Sequence, residues 1–186
     1  MRWIEHQKPL LPFTGWGQNR YHRALMFGAL PQLIEVERFA VKRKRIEGAF
    51  AVASLDRLMQ MVAGPDGEVG FALEFFRDEQ GQSRISGTIQ GSVMLTCQRC
   101  LQPVRHELVA CVELMALVDE SALSQLPGDV EPLLTGGQPV RLADLVEDEA
   151  LLALPIVASH PQCSPPSHDK SGDEDGNPFA ALKRKE

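Results

Sequence analysis

The sequence is poor in aromatic residues and has no long apolar run. Aromatic side chains make up 6% of its 186 residues, so the stacking platforms that grip single-stranded nucleic acid are not abundant. No apolar stretch approaches the roughly 20 residues that a membrane-spanning helix needs. The N-terminal segment is basic, but polar residues interrupt the apolar stretch that a secretory signal peptide would need. We therefore expect a cytoplasmic protein without a membrane partner.

Recognisable enzyme motifs are also missing from the sequence. It contains no Walker loop, no glycine-rich dinucleotide motif, no nucleophile elbow and no zinc-protease helix motif. We therefore expect a protein that acts by binding and not by catalysis, without a small-molecule substrate. The formal net charge of -6 further argues against a chain that coats nucleic acid along its whole length.

Composition divides the chain into three parts. Residues 1–32 contain repeated proline and glycine and show no lasting period, which predicts a disordered extension in which Met26 could be the natural start. Residues 33–160 have the pattern of a folded domain. Residues 161–186 are rich in proline, serine, glycine and aspartate, which predicts a disordered tail.

Alternating apolar residues in the middle of the chain predict three neighbouring strands. They cover residues 69–76, 84–96 and 104–118, and short turns join them into an antiparallel meander. A helix over residues 107–118 is an open alternative, because periodicity does not exclude it. Cys111 falls in the third run, where we expect a small buried core residue.

Two segments have the apolar spacing of helices. The first has Ser54 placed as its N-cap and ends before a glycine–proline pair, and the second covers residues 141–154 until Pro155 stops it. The predicted fold is therefore α+β: an antiparallel β-meander packed against two helices, with disordered N- and C-terminal segments.

Cys97 and Cys100 are the strongest chemical signal in the sequence. Two thiolates two residues apart on a tight turn can form one edge of a tetrahedral zinc site, and His160 and Cys163 offer the other two ligands. Two interpretations are open: a structural zinc held by these four residues, or a strand-turn pair of reduced cysteines with Cys163 loose in the tail. A redox role is less favoured, because a strand and not a helix follows the cysteine pair.

Charged residues suggest two binding surfaces. The carboxylates of the second helix, Asp144, Glu147 and Asp148, fall together and could receive a basic protein partner, although a soluble helix face has the same pattern. Basic residues could neutralise RNA phosphates, with a solvated surface as the alternative. These candidates are Lys42, Arg43, Lys44, Arg45, Arg99, Arg105, Lys183, Arg184 and Lys185.

Three segments together resemble the YceD family of large ribosomal RNA subunit accumulation proteins. They are LTCQRCLQP at residues 95–103, LVEDEALLALP at 145–155, and NPFA at 177–180 with the basic end that follows. The resemblance covers residues 33–186 and implies a role in the synthesis, processing or stability of 23S ribosomal RNA. It implies no catalytic residue. Some relatives carry further cysteines after the second helix, where this chain has Cys163 and His160.

On this resemblance we expect a ribosome biogenesis factor that binds the pre-ribosomal large subunit or its RNA. One alternative is a protein-only adaptor or chaperone for a basic ribosomal protein. The other is a thiol or metal enzyme that uses Cys97 and Cys100.

Overall fold

The computed structural model describes residues 30–128 and 130–166. The predictions for residues 1–29 and 167–186 lie outside the described residues. They comprise most of the terminal disorder, the start at Met26, and the basic residues Lys183, Arg184 and Lys185.

Seven strands and three α-helices make up the described chain. In chain order they are β1 (Leu33–Ile34), α1 (Val36–Val41), β2 (Arg45–Ala51), a 3-10 helix (Val52–Ser54), α2 (Asp56–Met61), β3 (Glu68–Arg77), β4 (Ser83–Thr96), β5 (Pro103–Leu117), a second 3-10 helix (Glu120–Gln125), β6 (Glu131–Leu134), β7 (Val140–Arg141) and α3 (Leu142–Leu152).

The main sheet has the strand order β2-β3-β4-β5-β6. Strands β2 to β5 form an antiparallel meander, and β6 adds to β5 in parallel. Strands β1 and β7 form a separate two-residue ladder. The α+β fold and the β3–β4–β5 meander are confirmed. The helical alternative for residues 107–118 is wrong, because that segment pairs with β4 along nearly its whole length.

One face of the sheet is buried beneath the helices. Helix α1 lies against β3 and β4, and α3 lies against β3, β4 and β5. Each apolar side chain covered there contributes about 1.5–3 kcal/mol relative to an exposed one. The buried sheet residues include Val69, Phe71, Leu73, Phe75, Ile85, Ile89, Val93, Leu108 and Val112.

The opposite face of the sheet is largely open to solvent. Cys111 pairs with Thr88 on this face and is exposed, so the prediction that it is a core residue is wrong. The alternation of β5 determined which residues share a face, but it did not determine which face the helices cover.

The first predicted helix starts differently from the expectation. Ser54 ends the 3-10 helix, and its hydroxyl donates to the Ala51 carbonyl at 2.7 Å, so it is not the N-cap of α2. The second predicted helix is confirmed as α3, which ends at Leu152 before Pro155. Among the described helices, none is long and apolar enough to cross a membrane.

Candidate metal centre

A tight turn joins β4 to β5 and carries the first cysteine pair. The Cys97 amide donates to the Gln102 carbonyl at 2.9 Å, and the Leu101 amide donates to the Cys97 carbonyl at 2.9 Å. Leu101 has a φ of 61°. This left-handed conformation costs about 1–2 kcal/mol for a residue with a Cβ. The turn therefore holds a strained backbone to place Cys97 and Cys100 together.

The segment that follows α3 supplies the second half of the centre. Pro155 prevents the helix from continuing, and the chain then runs to the β4–β5 turn. There the Gln98 amide donates to the Ala158 carbonyl at 2.9 Å. The His160 amide points to the Cys97 sulfur at 3.4 Å. These contacts join two segments that are at least 60 residues apart in the sequence.

Four ligand-type side chains meet at this junction. One ligand atom from each of Cys97, Cys100, His160 and Cys163 lies within 4.8 Å of the others. The sulfurs of Cys97 and Cys163 are 3.7 Å apart, and the Cys100 sulfur is 3.3 Å from His160 Nδ1. Zinc–sulfur bonds of about 2.3 Å in a tetrahedron imply sulfur–sulfur distances of roughly 3.8 Å. The predicted ligands are therefore brought together at spacings that a tetrahedral metal would require.

The surroundings of Cys97 favour its thiolate form. The backbone amide of Cys100 lowers the pKa of Cys97 to about 5, against the effect of burial, and the amides of His160 and Arg99 act in the same direction. At Cys100 the Gln102 amide also favours the thiolate, but burial and the neighbouring Cys97 and Cys163 raise its pKa overall. Metals bind the thiolate form, so the amides around Cys97 favour the form of the side chain that can bind a metal.

Arg99 lies against this cluster. Its Nε donates to the Cys163 sulfur at 2.9 Å, and its Nη2 donates to the His160 carbonyl at 3.0 Å. The bond to Cys163 raises the pKa of the Arg99 guanidinium. A residue predicted to contact RNA therefore has the metal-ligand segment as its immediate neighbour.

Four of the other predicted RNA-binding residues lie away from this end of the sheet. Lys42, Arg43, Lys44 and Arg45 are all exposed around the start of β2, where Arg45 pairs with Glu47 at 2.7 Å. Lys44 Nζ stacks 4.5 Å above the Phe39 ring.

The registers of β2 to β5 give the separation of the two basic regions. Arg45 is level with Ser86, whereas Arg105 is level with Met94, eight residues further along β4. At the usual rise per residue this corresponds to an offset of about 27 Å along the strand direction. Arg105 is 69% exposed and pairs with Glu107 at 2.8 Å.

Glu147 is not part of an exposed acidic face, which corrects the predicted partner surface. Its side chain is buried and accepts bonds from the Arg57 amide at 2.7 Å, the Leu58 amide at 3.1 Å and Arg57 Nε at 2.9 Å. Burial opposes ionisation, but these donors outweigh it and hold the pKa of Glu147 below its usual value. Asp144 and Asp148 remain about half exposed, and Asp148 also pairs with Arg57.

Sequence reasoning missed the Arg57–Glu147 pair. The two residues lie 90 positions apart, and the helical period of α3 placed Glu147 with its polar neighbours. Two successive unsatisfied amides at the start of the short helix α2 demand an acceptor. No feature of the sequence identified which of the many carboxylates would supply it.

Together these features define an α+β domain with a Cys3His cluster at one end of its sheet. The chain belongs to the family of the large ribosomal RNA subunit accumulation protein YceD, whose model matches residues 85–184. A curated relative is the large ribosomal RNA subunit accumulation protein YceD of Haemophilus influenzae, 30% identical over 132 residues. The match covers 70% of this chain and 76% of the relative. No solved structure matches.

Proposed function

We propose that this protein supports the accumulation of large-subunit ribosomal RNA as a ribosome biogenesis factor. The observation that carries the proposal is family membership. The similar Haemophilus influenzae protein is named for large ribosomal RNA subunit accumulation. The matched segment, residues 85–184, contains most of β4, all of β5 and α3, and all four ligand-type side chains, so the family match includes the candidate metal centre.

A binding role is favoured over catalysis on a small molecule. The two best-formed cavities among the described residues have volumes of about 260 and 150 Å³ and open to solvent. Small-molecule sites usually enclose about 300–1,000 Å³. The proposed partner is the pre-ribosomal large subunit or its RNA.

Deletion of the gene tests this function in cells. We expect a selective loss of large-subunit RNA and particles in gradient profiles, restored by the wild-type gene. Small-subunit RNA from the same cells is the internal control. Normal amounts of both subunits in the deletion strain would refute the proposed role.

We further propose that the exposed run at Lys42, Arg43, Lys44 and Arg45 contacts RNA phosphates. Phosphate contacts release counterions, so binding to large-subunit RNA should weaken steeply with salt. Replacing Lys42 and Arg43 by glutamate should flatten the salt dependence of RNA binding. Arg105→Glu is the comparison variant, because it reverses a positive charge about 27 Å further along the strand direction. A complex with a basic ribosomal protein that survives nuclease treatment, without any RNA binding, would instead support the adaptor alternative.

The Cys3His cluster is proposed to hold a structural zinc ion. Three thiolates and an imidazole are donors that zinc prefers, and four protein ligands fill a tetrahedral site. Such a closed site leaves no position for water or substrate, which favours fastening the chain over metal catalysis. The bound ion would hold residues 158–163 on the β4–β5 turn.

Metal analysis of purified protein tests the zinc proposal. We expect about one zinc per wild-type chain and its loss in Cys97→Ser and Cys163→Ser variants. Cys111→Ser is the matched control, because Cys111 is exposed on the open face of the sheet and outside the cluster. Wild-type protein that carries no zinc, and takes up none when it is added, would refute the proposal.

A further inference from the structure

The charges of the proposed centre do not balance among its ligands. Three thiolates and one neutral imidazole around a zinc ion carry a net charge of -1. A net charge is costly to hold where Cys97 is fully buried and the other ligands are half-buried. A nearby cation that donates to the sulfurs would offset this cost.

Arg99 has the geometry for that task. It stands within the turn, between the ligands Cys97 and Cys100, but its side chain reaches the other half of the cluster. Its Nε donates to the Cys163 sulfur at 2.9 Å, and its Nη2 donates to the His160 carbonyl at 3.0 Å. One planar guanidinium thus bridges the turn to both ligands of the segment after α3.

We propose that Arg99 is the charge partner of the metal centre, and that its guanidinium strengthens zinc binding through Cys163 and His160. This inference rests on the proposed zinc centre. It changes the assignment of Arg99 from a phosphate-contacting residue to a positioning residue. The role resembles that of hydrogen-bond donors behind metal ligands in general, which orient the ligands and adjust their basicity.

Arg105 provides the contrast within the same chain. It lies eight residues beyond Cys97, on the exposed face of β5, and its side chain pairs with Glu107 and not with any member of the cluster. It therefore shares the charge and chemistry of Arg99 without the contact. Removing the Arg105 charge should leave zinc affinity unchanged.

Zinc competition against a chromophoric chelator measures the effect on the full-length protein. Arg99→Gln keeps an N–H donor but removes the charge, and we expect zinc binding about tenfold weaker. Arg99→Lys keeps the charge without the planar fork, and we expect a smaller loss. Arg105→Gln should match the wild type.

Cobalt substitution provides a spectroscopic measurement that would not change if Arg99 only packed against the cluster. The thiolate-to-cobalt charge-transfer band reports the electron density on the sulfurs. Loss of the guanidinium charge beside Cys163 should shift this band to lower energy in Arg99→Gln, and Arg105→Gln should leave it unchanged. Thermal melting of the metal-free variants shows whether the fold itself is preserved.

The outcomes separate this inference from the zinc proposal beneath it. Wild-type protein that binds neither zinc nor cobalt would overturn the metal centre itself. Wild-type protein that binds metal, with Arg99→Gln equal to it in affinity and spectrum, would overturn only the role of Arg99. Arg99→Lys binding no more tightly than Arg99→Gln would overturn the charge argument. Zinc affinity that decreases from the wild type to Arg99→Lys and then to Arg99→Gln would support the charge argument.

Discussion

Two junctions attach the α3 region to distant parts of the chain, and they are built from different chemistry. At the first, the Glu147 carboxylate on α3 accepts from two amides at the start of α2 and from the Arg57 side chain. At the second, beyond the end of α3, Cys97, Cys100, His160 and Cys163 converge on the β4–β5 turn.

The difference lies in whether the chain alone completes each junction. Every polar group named at the Glu147 junction has a partner from the protein, as buried polar groups require. The cysteine–histidine cluster brings together four side chains that can each donate an electron pair to a metal ion. The cation that contacts the cluster is Arg99, through the Cys163 sulfur. The first junction needs no added group, whereas the proposed zinc ion would complete the second. The two attachments should therefore respond to different agents.

Removal of the proposed zinc ion should give the largest effect and act on one junction alone. With free zinc at 1,000 times its dissociation constant, binding adds about 4 kcal/mol to stability. Chelation should therefore speed hydrogen exchange at the Gln98 and His160 amides, which hold the segment to the turn. The Arg57 and Leu58 amides should exchange as before, because Glu147 still accepts from them. Equal acceleration at both junctions would contradict their independence.

Replacing Glu147 by alanine should break the other junction. The change leaves two amides and part of the Arg57 guanidinium without their acceptor, at a cost of about 3 kcal/mol in the free energy of unfolding. Urea unfolding measures this loss. Asp148→Ala is the matched control on the same helix, since Asp148 also binds Arg57 but is 54% exposed, and it should cost less than about 1 kcal/mol. Both variants should retain wild-type zinc content; loss of zinc from Glu147→Ala would show that the junctions are coupled.

The two junctions also differ in how far sequence reasoning reached them. All four residues of the Cys3His cluster were named as possible partners, because cysteine and histidine are rare here and their spacing restricts their chemistry. Glutamate is common, and a buried Glu147 looks in the sequence like any residue on the polar side of α3. Its burial depends on where α2 docks, which is a tertiary contact between segments about 90 residues apart.

A similar limit applies to the fold. Alternation predicted β3, β4 and β5, because a half-buried strand repeats every two residues. It gave no information about the side of the sheet that the helices cover, and Cys111 was therefore assigned to the wrong environment. The short helix α1 and the parallel strand β6 were missed, since six or four residues carry too little periodicity to recognise.

Two buried carboxylates on α3 have opposite pKa shifts, and the smallest expected effect concerns how they change stability with pH. The pKa of Glu147 is lowered, because its donors outweigh burial. The pKa of Glu149 is raised, first by burial and then by the charges of Glu131 and Asp148. A carboxyl in an unfolded chain titrates near pH 4.3.

These opposite shifts predict opposite contributions to acid stability. Ionised Glu147 stabilises the fold above its unfolded pKa, and this contribution is lost as pH falls through the lower folded value. Glu149 binds its proton more tightly when folded, so the fold gains stability as pH falls through the raised value. Urea unfolding between pH 6 and 3 should therefore show a shallower acid loss for Glu147→Gln than for the wild type, and a steeper one for Glu149→Gln. Parallel profiles for the three proteins would mean that neither carboxyl changes its proton affinity on folding.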